Sequence, residues 1–303
     1  MPKPDESRRA FLRRAALVAG GPFLLVSSAG LHHLTAHTSA IEQTEDERIF
    51  HGTMDLAAKE GLADKPIGDV IPALGFSFLG TPYVAHSLEA PGPERLVVNL
   101  RAFDCTTFME SILVLSRCVK LKVKTFDGYR RQLQFVRYRG GVIDGYPSRL
   151  HYLTDWVWDN EQKKVLRDVT ESIGGKRAGK VIDFMSTHIS SYRPLSDTGF
   201  VRRIKETEQE LTARSYVFVP KDRVRAELAK IHNGDLIGTA TSIVGIDVSH
   251  TGIAVRKDGT MKFLHAPLSG GEVQVSEGSL ADYLAKYDAV TGIVVARALE
   301  PLP

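Results

Sequence analysis

The sequence predicts an α+β fold, with helices in the first two thirds of the chain and an antiparallel sheet in the last third. Apolar residues recur at helical spacing up to about residue 210, whereas short β-rich segments follow one another from Tyr216 onward. The dipeptide Asp258-Gly259 stands between two alternating apolar segments and is a strong signal for a tight hairpin turn. Helices that precede a run of short adjacent strands are typical of the α+β class.

The N-terminal segment is predicted to be an export signal and not part of this fold. Its sequence SRRAFLRRAALVAGGPFLLVSSAG has two adjacent arginines, Arg8 and Arg9, then an apolar run and then small residues. This order is typical of a twin-arginine signal peptide, and the run is shorter than the roughly 20 residues that a retained membrane anchor needs. We therefore expect residues 1–40 to hold the signal and its cleavage region, with cleavage after Ala29 or Ala40.

The export signal carries the whole net charge of the chain. Residues 1–29 hold five basic and two acidic side chains, a net charge of +3 that equals the value for all 303 residues. The mature domain, residues 41–303, is then formally neutral, which gives a nucleic-acid partner no electrostatic support. We expect a periplasmic or extracytoplasmic protein without a membrane anchor after cleavage, with the twin-arginine machinery as its export partner and without a cofactor.

The first segment of the mature domain predicts two amphipathic helices. Apolar residues at helical spacing mark one helix over 45–61 and a second over 67–75. A loop rich in glycine and proline follows, with a short strand expected at 95–99.

The next helix holds both cysteines of the chain, in the segment NLRAFDCTTFMESILVLSRC. Asp104 stands where an N-cap belongs, so Cys105 would be the first helical residue. Cys118 is 13 residues further along, about 20 Å at the helical rise, whereas a disulfide needs Cα atoms within about 7 Å. Both thiols are therefore expected to stay free. The positive end of the helix dipole is expected to lower the pKa of Cys105; the alternative is an inert, buried cysteine.

Residues 120–210 are predicted to contain helices and loops. TFDGYRRQLQFVRYRGG places apolar residues on one helical face and arginines on the other, and we interpret the arginines as a solvated face rather than a binding patch. The aromatic-rich YPSRLHYLTDWVWDN either lines a groove or packs in the interior.

The last third predicts six strands, in the segments YVFVP, DLIGTA, GIDVSHTGIAV, TMKFLHA, EVQVS and TGIVVARA. One helix, SLADYLAKY, interrupts them, with Ser279 as its N-cap.

The predicted hairpin brings two histidines together. A two-residue type I′ turn at Asp258-Gly259 sets the register so that Gly252 faces His265. Because side chains alternate along a strand, His250 lies on the same face as Gly252 and diagonally opposite His265. Their Cβ atoms would be about 7 Å apart, close enough for the two imidazoles to touch.

A helix-capping cysteine and a histidine pair favour nucleophilic catalysis, in which one imidazole takes the thiol proton and a second group orients it. The main alternative is a metal site, with His250, His265 and either Asp247 or Asp235 as ligands. It is disfavoured because Asp247 is an odd number of residues from His250 and points to the opposite face.

The segments GTPYVAHSL, FDCTTF, NGDLIG, VSHTGIAV and FLHAP together resemble the NlpC-type, papain-like cell-wall cysteine hydrolases. The longer phrases VVNLRAFDCTTFME, YPSRLHYLTDW and GIDVSHTGI resemble one branch, the N-acetylmuramoyl-L-alanine amidase-like family once described as a domain of unknown function. The resemblance extends from about Gly80 to Ala298. It implies a papain-like fold with the nucleophile helix packed on the antiparallel sheet and with 120–210 as a family-specific helical insertion.

The resemblance also implies roles for individual residues. Cys105 would be the nucleophile, His250 the base and His265 the orienting third member. Tyr83 would lie near the substrate carbonyl, and the Cys105 backbone N–H would be part of the oxyanion hole. Contacts to the peptide or lactyl group are expected from four residues of the insertion: Ser148, Arg149, His151 and Tyr152.

These inferences predict a peptidoglycan amidohydrolase that cleaves the amide between N-acetylmuramic acid and L-alanine through a thioester. Within the same fold, the alternative is an endopeptidase that cuts between D-glutamate and the diamino acid. From other classes, the alternatives are a metal-dependent amidase and a non-catalytic wall-binding module.

Overall fold

Helices form most of the first half of the structure, a computed structural model that describes residues 45–302. The predicted signal, residues 1–40, lies outside the described residues. The longer helices of this half are α1 (45–59), α2 (Ile67–Ser77), α3 (Cys105–Lys120), α4 (Phe126–Arg137) and α5 (Leu153–Gln162). The first four confirm the helices that the apolar spacing predicts.

Four further α-helices are described in the second half of the structure: α6 (Phe184–Thr187), α7 (Thr198–Ala213), α8 (Lys221–Glu227) and α9 (Leu280–Ala285). The predicted N-cap of α9 is confirmed, because the Ser279 hydroxyl accepts a hydrogen bond from the Asp282 backbone N–H. The Asp282 carboxylate in turn accepts from the Ser279 backbone N–H, which completes a capping box.

The strands of the described residues form one sheet, with all their pairings antiparallel. They are β1 (Leu166–Asp168), β2 (Lys176–Ala178), β3 (Tyr216–Pro220), β4 (Leu236–Thr241), β5 (Val248–Lys257), β6 (Thr260–His265), β7 (Gln274–Val275) and β8 (Val290–Ala298). Their order across the sheet is β2-β3-β8-β4-β5-β6-β7, and β1 also pairs with β8. The mixed α+β architecture with an antiparallel sheet confirms the predicted class.

The two faces of the sheet carry separate parts of the core. On one face α3 packs through residues such as Phe108 and Ile112 against Ile253 of β5. On the other face α9 contributes Leu280 and other apolar residues to a second cluster that includes Phe263 of β6. Alternate residues of β5 and β6 therefore face α3 or α9, as the pleat of a strand requires.

The structure corrects two predicted strands and one region that was predicted to contain helices and loops. Residues 95–99 are irregular, because side chains rather than a neighbouring strand bind their backbone: Tyr138 donates to the Arg95 carbonyl and Arg137 to the Val97 carbonyl. The EVQVS strand shrinks to Gln274–Val275. Within 120–210, which was predicted to be helices and loops, β1 and β2 pair with strands of the main sheet.

Within residues 45–302, none of the helices combines the length and the hydropathy that a bilayer crossing requires.

Candidate active site

The N-terminus of α3 is built as its sequence predicts. The Asp104 carboxylate accepts a hydrogen bond from the Thr107 backbone N–H at 2.8 Å, and the Thr107 hydroxyl accepts from the Asp104 backbone N–H at 2.9 Å. This reciprocal cap fixes the start of the helix, so that Cys105 is its first residue. Cys105 is partly exposed, Cys118 is buried, and both are free thiols, as predicted.

Tyr83 lies next to the start of α3, although 22 residues separate it from Cys105 in the chain. The Tyr83 backbone N–H donates to the Gly271 carbonyl at 2.7 Å, and Tyr83 forms a parallel bridge with Phe103. Burial raises the pKa of the Tyr83 phenol to about 12, with smaller contributions from the Cys105 thiolate and the Asp104 carboxylate. Tyr83 is therefore a neutral hydrogen-bond donor at neutral pH, close to the thiol.

The β5–β6 hairpin has the predicted register. Lys257 pairs with Thr260, and the two residues of the turn, Asp258 and Gly259, have φ values of 52° and 73°. Positive φ at both central positions is the requirement of a type I′ turn.

That register brings the two imidazoles into contact. His250 Nε2 and His265 Nδ1 are 2.8 Å apart, a hydrogen bond whose donor depends on the tautomers. Gly252 makes this contact possible: an added Cβ would lie 2.8 Å from the His265 Cβ and 2.7 Å from a ring carbon of Phe263. A side chain at Gly252 would therefore displace the His265 ring.

Tyr283 of α9 packs against the histidine pair, a contact that the sequence does not predict. Its ring centroid lies 4.8 Å from that of His265 and 6.4 Å from that of His250, and Phe263 packs beside it. The apolar spacing of SLADYLAKY indicates that Tyr283 is buried. Which residues it packs against depends on how α9 docks on the sheet.

The Cys105 sulfur lies against β5, beside the residue that follows His250. The backbone and side chain of Thr251 lie close enough to lower its pKa, and the Thr106 hydroxyl is 3.9 Å away. Among the described residues, no hydrogen bond joins this sulfur to either imidazole of the pair. Tyr283 lies near both groups. It packs against both imidazoles, and burial raises the pKa of its phenol, with smaller contributions from Tyr287 and from the Cys105 thiolate.

The expected lowering of the Cys105 pKa is wrong. Burial raises the pKa of this thiol, the Asp104 carboxylate raises it further, and the nearby polar groups of Thr251 and Thr106 oppose the rise. The free-energy cost of removing the thiolate from water is larger here than the stabilisation that the helix N-terminus provides.

Both imidazoles are neutral at neutral pH. Burial lowers the pKa of His250 to about 4, and burial together with the charge on His250 lowers that of His265 to about 3. The resting pair of thiol and imidazole is therefore uncharged, and the imidazole is in the form that accepts a proton.

Two of the predicted substrate contacts, Ser148 and His151, bond to the backbone of their own segment. The Ser148 hydroxyl donates to the Gly145 carbonyl at 2.7 Å, and His151 Nε2 lies 3.0 Å from the Tyr146 carbonyl. Burial, with the nearby Arg149 charge, lowers the pKa of His151 to about 3. Both residues shape the turn that precedes α5, and their contact with substrate stays a prediction.

The other two, Arg149 and Tyr152, are buried and have polar partners. Arg149 donates to the Leu88 carbonyl at 3.0 Å and to the Glu89 carboxylate at 2.8 Å, which ties down the loop that follows Tyr83. The Tyr152 hydroxyl donates to the Glu208 carboxylate at 2.6 Å. The Arg149 contacts connect the insertion to the loop near the thiol, whereas the Tyr152 contact lies within the insertion. Binding of substrate by either residue also stays a prediction.

The acids of the alternative metal site are engaged elsewhere. Asp247 accepts hydrogen bonds from the backbone N–H and the hydroxyl of Thr154, at 2.8 and 3.0 Å. Asp235 forms an ion pair with Arg297 at 2.7 Å. In the part of the chain that the structure describes, no three histidine, cysteine, aspartate or glutamate side chains are grouped as metal ligands.

Comparison with protein families gives a match over most of the chain. The sequence profile of the AmiA-like family, described as N-acetylmuramoyl-L-alanine amidase-like, matches residues 73–293. No curated protein matches the sequence significantly.

Several solved structures are similar to this one. An N-acetylmuramoyl-L-alanine amidase from Bacteroides uniformis has 37% sequence identity and a TM-score of 0.72, over 77% of this chain and 98% of that chain. A Bacteroides fragilis protein, named provisionally as a xylanase, has 36% identity and a TM-score of 0.70, over 74% of this chain and 98% of that one. A Legionella pneumophila protein with 22% identity, a TM-score of 0.65 and coverage of 86% and 97% shares the fold.

Proposed function

This chain belongs to the AmiA-like, N-acetylmuramoyl-L-alanine amidase-like family, and on that basis we propose that it is a cysteine amidohydrolase of peptidoglycan. The bond that we propose it cleaves is the amide between N-acetylmuramic acid and L-alanine. The named activity of the Bacteroides uniformis protein, 37% identical over 98% of its length, supports this choice. We also propose that the fold is papain-like and of the NlpC type, with α3 as the nucleophile helix.

One observation carries the mechanism: the thiol at the start of α3 lies against the strand that bears a hydrogen-bonded pair of imidazoles. His250 Nε2 is engaged with His265, so Nδ1 is the nitrogen left to accept the thiol proton. Because the thiol and the imidazole are both neutral at rest, proton transfer accompanies attack on the carbonyl carbon rather than preceding it. Substrate binding is expected to bring the thiol proton within reach of His250 Nδ1 while the sulfur stays beside Thr251.

The next steps follow from this assignment. Attack forms a carbon–sulfur bond and a tetrahedral oxyanion, which the Cys105 backbone N–H and the Tyr83 hydroxyl would stabilise. The oxyanion collapses, the carbon–nitrogen bond breaks, and His250 gives its proton to the leaving amine of L-alanine. The muramic acid lactyl group is left as a thioester. Water then attacks the thioester, with His250 as base, and the thiol is regenerated.

The xylanase name of the Bacteroides fragilis protein raises glycoside hydrolysis as an alternative. A glycosidase of the usual kind needs two carboxyl groups about 5 to 9.5 Å apart, one as acid and one as base or nucleophile. The groups that meet here are a thiol, two imidazoles and two phenols, Tyr83 and Tyr283, while the nearby Asp104 carboxylate caps α3. This chemistry supports acyl transfer and not glycoside hydrolysis.

Products of muropeptide hydrolysis distinguish the proposal from the endopeptidase alternative. Incubation of disaccharide-peptide muropeptides with the mature protein, followed by mass spectrometry, should release intact stem peptides and a peptide-free disaccharide. Truncated stems that remain on the sugar would instead indicate cleavage between D-glutamate and the diamino acid.

A chelator and an alkylating agent distinguish the cysteine mechanism from a metal-dependent one. Activity should persist in EDTA and disappear after iodoacetamide treatment. Loss of activity in EDTA with full resistance to alkylation would overturn the proposal.

We further propose that the protein is exported by the twin-arginine pathway, on the evidence of Arg8 and Arg9 and the short apolar run that follows them. Replacement of both arginines by lysine retains the charge but should leave the protein in the cytoplasm, as fractionation would measure. Periplasmic recovery of the double-lysine variant at the normal level would contradict the proposed route.

A further inference from the structure

Thr251 has a buried hydroxyl without a hydrogen-bond partner among the described residues. The residue is 2% exposed, and in the described part of the chain its Oγ1 atom makes no hydrogen bond. A hydroxyl removed from water without a partner destabilises the folded state, so an orphan of this kind calls for a functional or structural reason.

The position of Thr251 on β5 explains what this hydroxyl faces. His250 and Gly252, its neighbours, project to the face that carries His265 and α9. Strand alternation therefore points Thr251 to the opposite face, where α3 packs. The first residue of α3 is Cys105, and its sulfur lies within reach of both the backbone N–H and the hydroxyl of Thr251.

We propose that Thr251 is a catalytic residue whose hydroxyl donates a hydrogen bond to the Cys105 sulfur and stabilises the negative charge that develops there as the proton leaves. This inference rests on the role of Cys105 as nucleophile in the proposed function. The hydroxyl is a preorganised dipole, already desolvated and already adjacent to the reacting atom, so its effect is larger than that of the same group in water.

The other groups around the sulfur make this contribution necessary. Asp104, Tyr83 and Tyr283 are the acids that interact with the thiol, and a thiolate is repelled by the Asp104 carboxylate. The neutral His250 imidazole supplies no positive charge before it accepts the proton. Thr106, the other hydroxyl near the sulfur at 3.9 Å, is exposed to water and loses part of its effect there.

The hydroxyl also serves deacylation, in which the tetrahedral intermediate formed by water expels the sulfur. When water hydrolyses the thioester, the departing sulfur becomes a thiolate again, and Thr251 is in place to receive it. A residue of the same shape without the hydroxyl would keep the packing and lose both contributions.

The test measures the thiol directly and does not depend on the substrate. The rate of iodoacetamide alkylation is measured as a function of pH in a Cys118→Ala background, so that the measured rate is that of the Cys105 thiol. Thr251→Val retains the β-branched shape, and it should raise the apparent pKa of Cys105 by about one to two pH units. The same variant should lower kcat/KM for muropeptides about 10- to 100-fold, and Thr251→Ser should restore both values toward those of the parent.

A matched control removes a buried strand hydroxyl that does not face the sulfur. Thr241 of β4 is also 2% exposed, but its hydroxyl donates to the Ala289 carbonyl. Thr241→Val should leave the alkylation profile unchanged whatever it does to thermal stability.

An unchanged alkylation profile in Thr251→Val would overturn the inference, and so would a profile that Thr251→Ser fails to restore. If the valine variant does not fold, Thr251→Ala replaces it, and the same shift is expected relative to Thr251→Ser. Failure of the parent protein to release peptide would instead overturn the proposed function, while the alkylation profiles would still decide whether Thr251 bonds the sulfur.

Discussion

The imidazoles of His250 and His265, which are 15 residues apart in the chain, are joined by a hydrogen bond of 2.8 Å between Nε2 and Nδ1. In the tautomer in which His250 Nε2 donates, the Nδ1 atom of His250 is the acceptor on that ring. Buried as they are, both rings are uncharged at neutral pH, so one of them donates to the other as a neutral group. The proposed mechanism and most of its tests depend on this relationship.

The two cysteines of α3 give the sharpest test of the nucleophile. Cys105→Ala should reduce peptide release by about 1,000-fold or more, because the residual activity would come from binding and the oxyanion hole alone. Cys118→Ala is the matched control, since it removes a buried thiol of the same helix, and it should retain activity with a loss of about 1 kcal/mol in stability. Normal peptide release by Cys105→Ala would exclude Cys105 as the nucleophile.

Replacement of His265 should affect the rate more than substrate binding. His265→Phe removes the partner of His250 Nε2 while it keeps the packing against Tyr283, and kcat should fall by roughly 100-fold with KM nearly unchanged. His265→Asn keeps a polar group and should recover part of the loss. Steady-state kinetics of both variants would measure the difference, and equal rates for the phenylalanine and asparagine variants would exclude a polar role for the position.

Tyr83 should act as a neutral donor. With a pKa of about 12 its hydroxyl remains protonated through the neutral range, so Tyr83→Phe should lower kcat by about 100-fold without a change in the pH profile between about 6 and 9. Since the aromatic ring remains in place, circular dichroism and thermal melting should match the parent. A variant with full kcat would remove Tyr83 from the oxyanion hole.

Stability should fall in mild acid because of the histidine pair. Folding lowers the pKa of His265 from 6.5 to about 3 and that of His250 to about 4, so below pH 6.5 the unfolded chain binds more protons than the folded one. Their contribution is complete above pH 6.5 and is lost as the pH falls toward 4 and 3. The buried His265 alone should give a slope of up to about 1.4 kcal/mol per pH unit. Urea unfolding between about pH 7 and 4.5 would show a smaller slope in His265→Phe.

Gly252 should tolerate no side chain. In Gly252→Ala the new Cβ would press on the Cβ of His265 and the ring of Phe263, so we expect a loss of about 1 to 3 kcal/mol in stability together with lower activity. Gly52 of α1 is a useful control, because an added Cβ there meets nothing within 4 Å. Gly52→Ala should leave activity intact and maintain or raise stability.

Local sequence signals predicted the elements that position the site. Asp104 predicts the start of α3 because its carboxylate can bond to the backbone of the next turn, and the structure has that bond. Asp258-Gly259 predicts a turn whose two positive φ values fix the register of β5 and β6. Both signals act over a few residues, so no distant contact is needed to read them.

Other features depended on segments far apart in the chain. The strand expected at 95–99 does not form, because Arg137 and Tyr138 occupy its carbonyls from another part of the molecule. The strands β1 and β2 inside the insertion are three residues each and gain their stability from pairing with β8 and β3. Short segments of this kind have too little periodicity of their own to be recognised.

By itself, the sequence predicted the groups of the proposed site and determined how the helix cap and the hairpin turn orient them, because caps and tight turns are set by neighbouring residues. Only the tertiary structure decided the protonation states of those groups. Water is excluded where α3, β5 and α9 pack against one another. This packing gives the neutral imidazoles, the raised pKa of the Cys105 thiol, the contact of Tyr283 with the histidine pair and the buried Thr251 hydroxyl. Desolvation is a property of the packed assembly, and no single segment of the chain carries it.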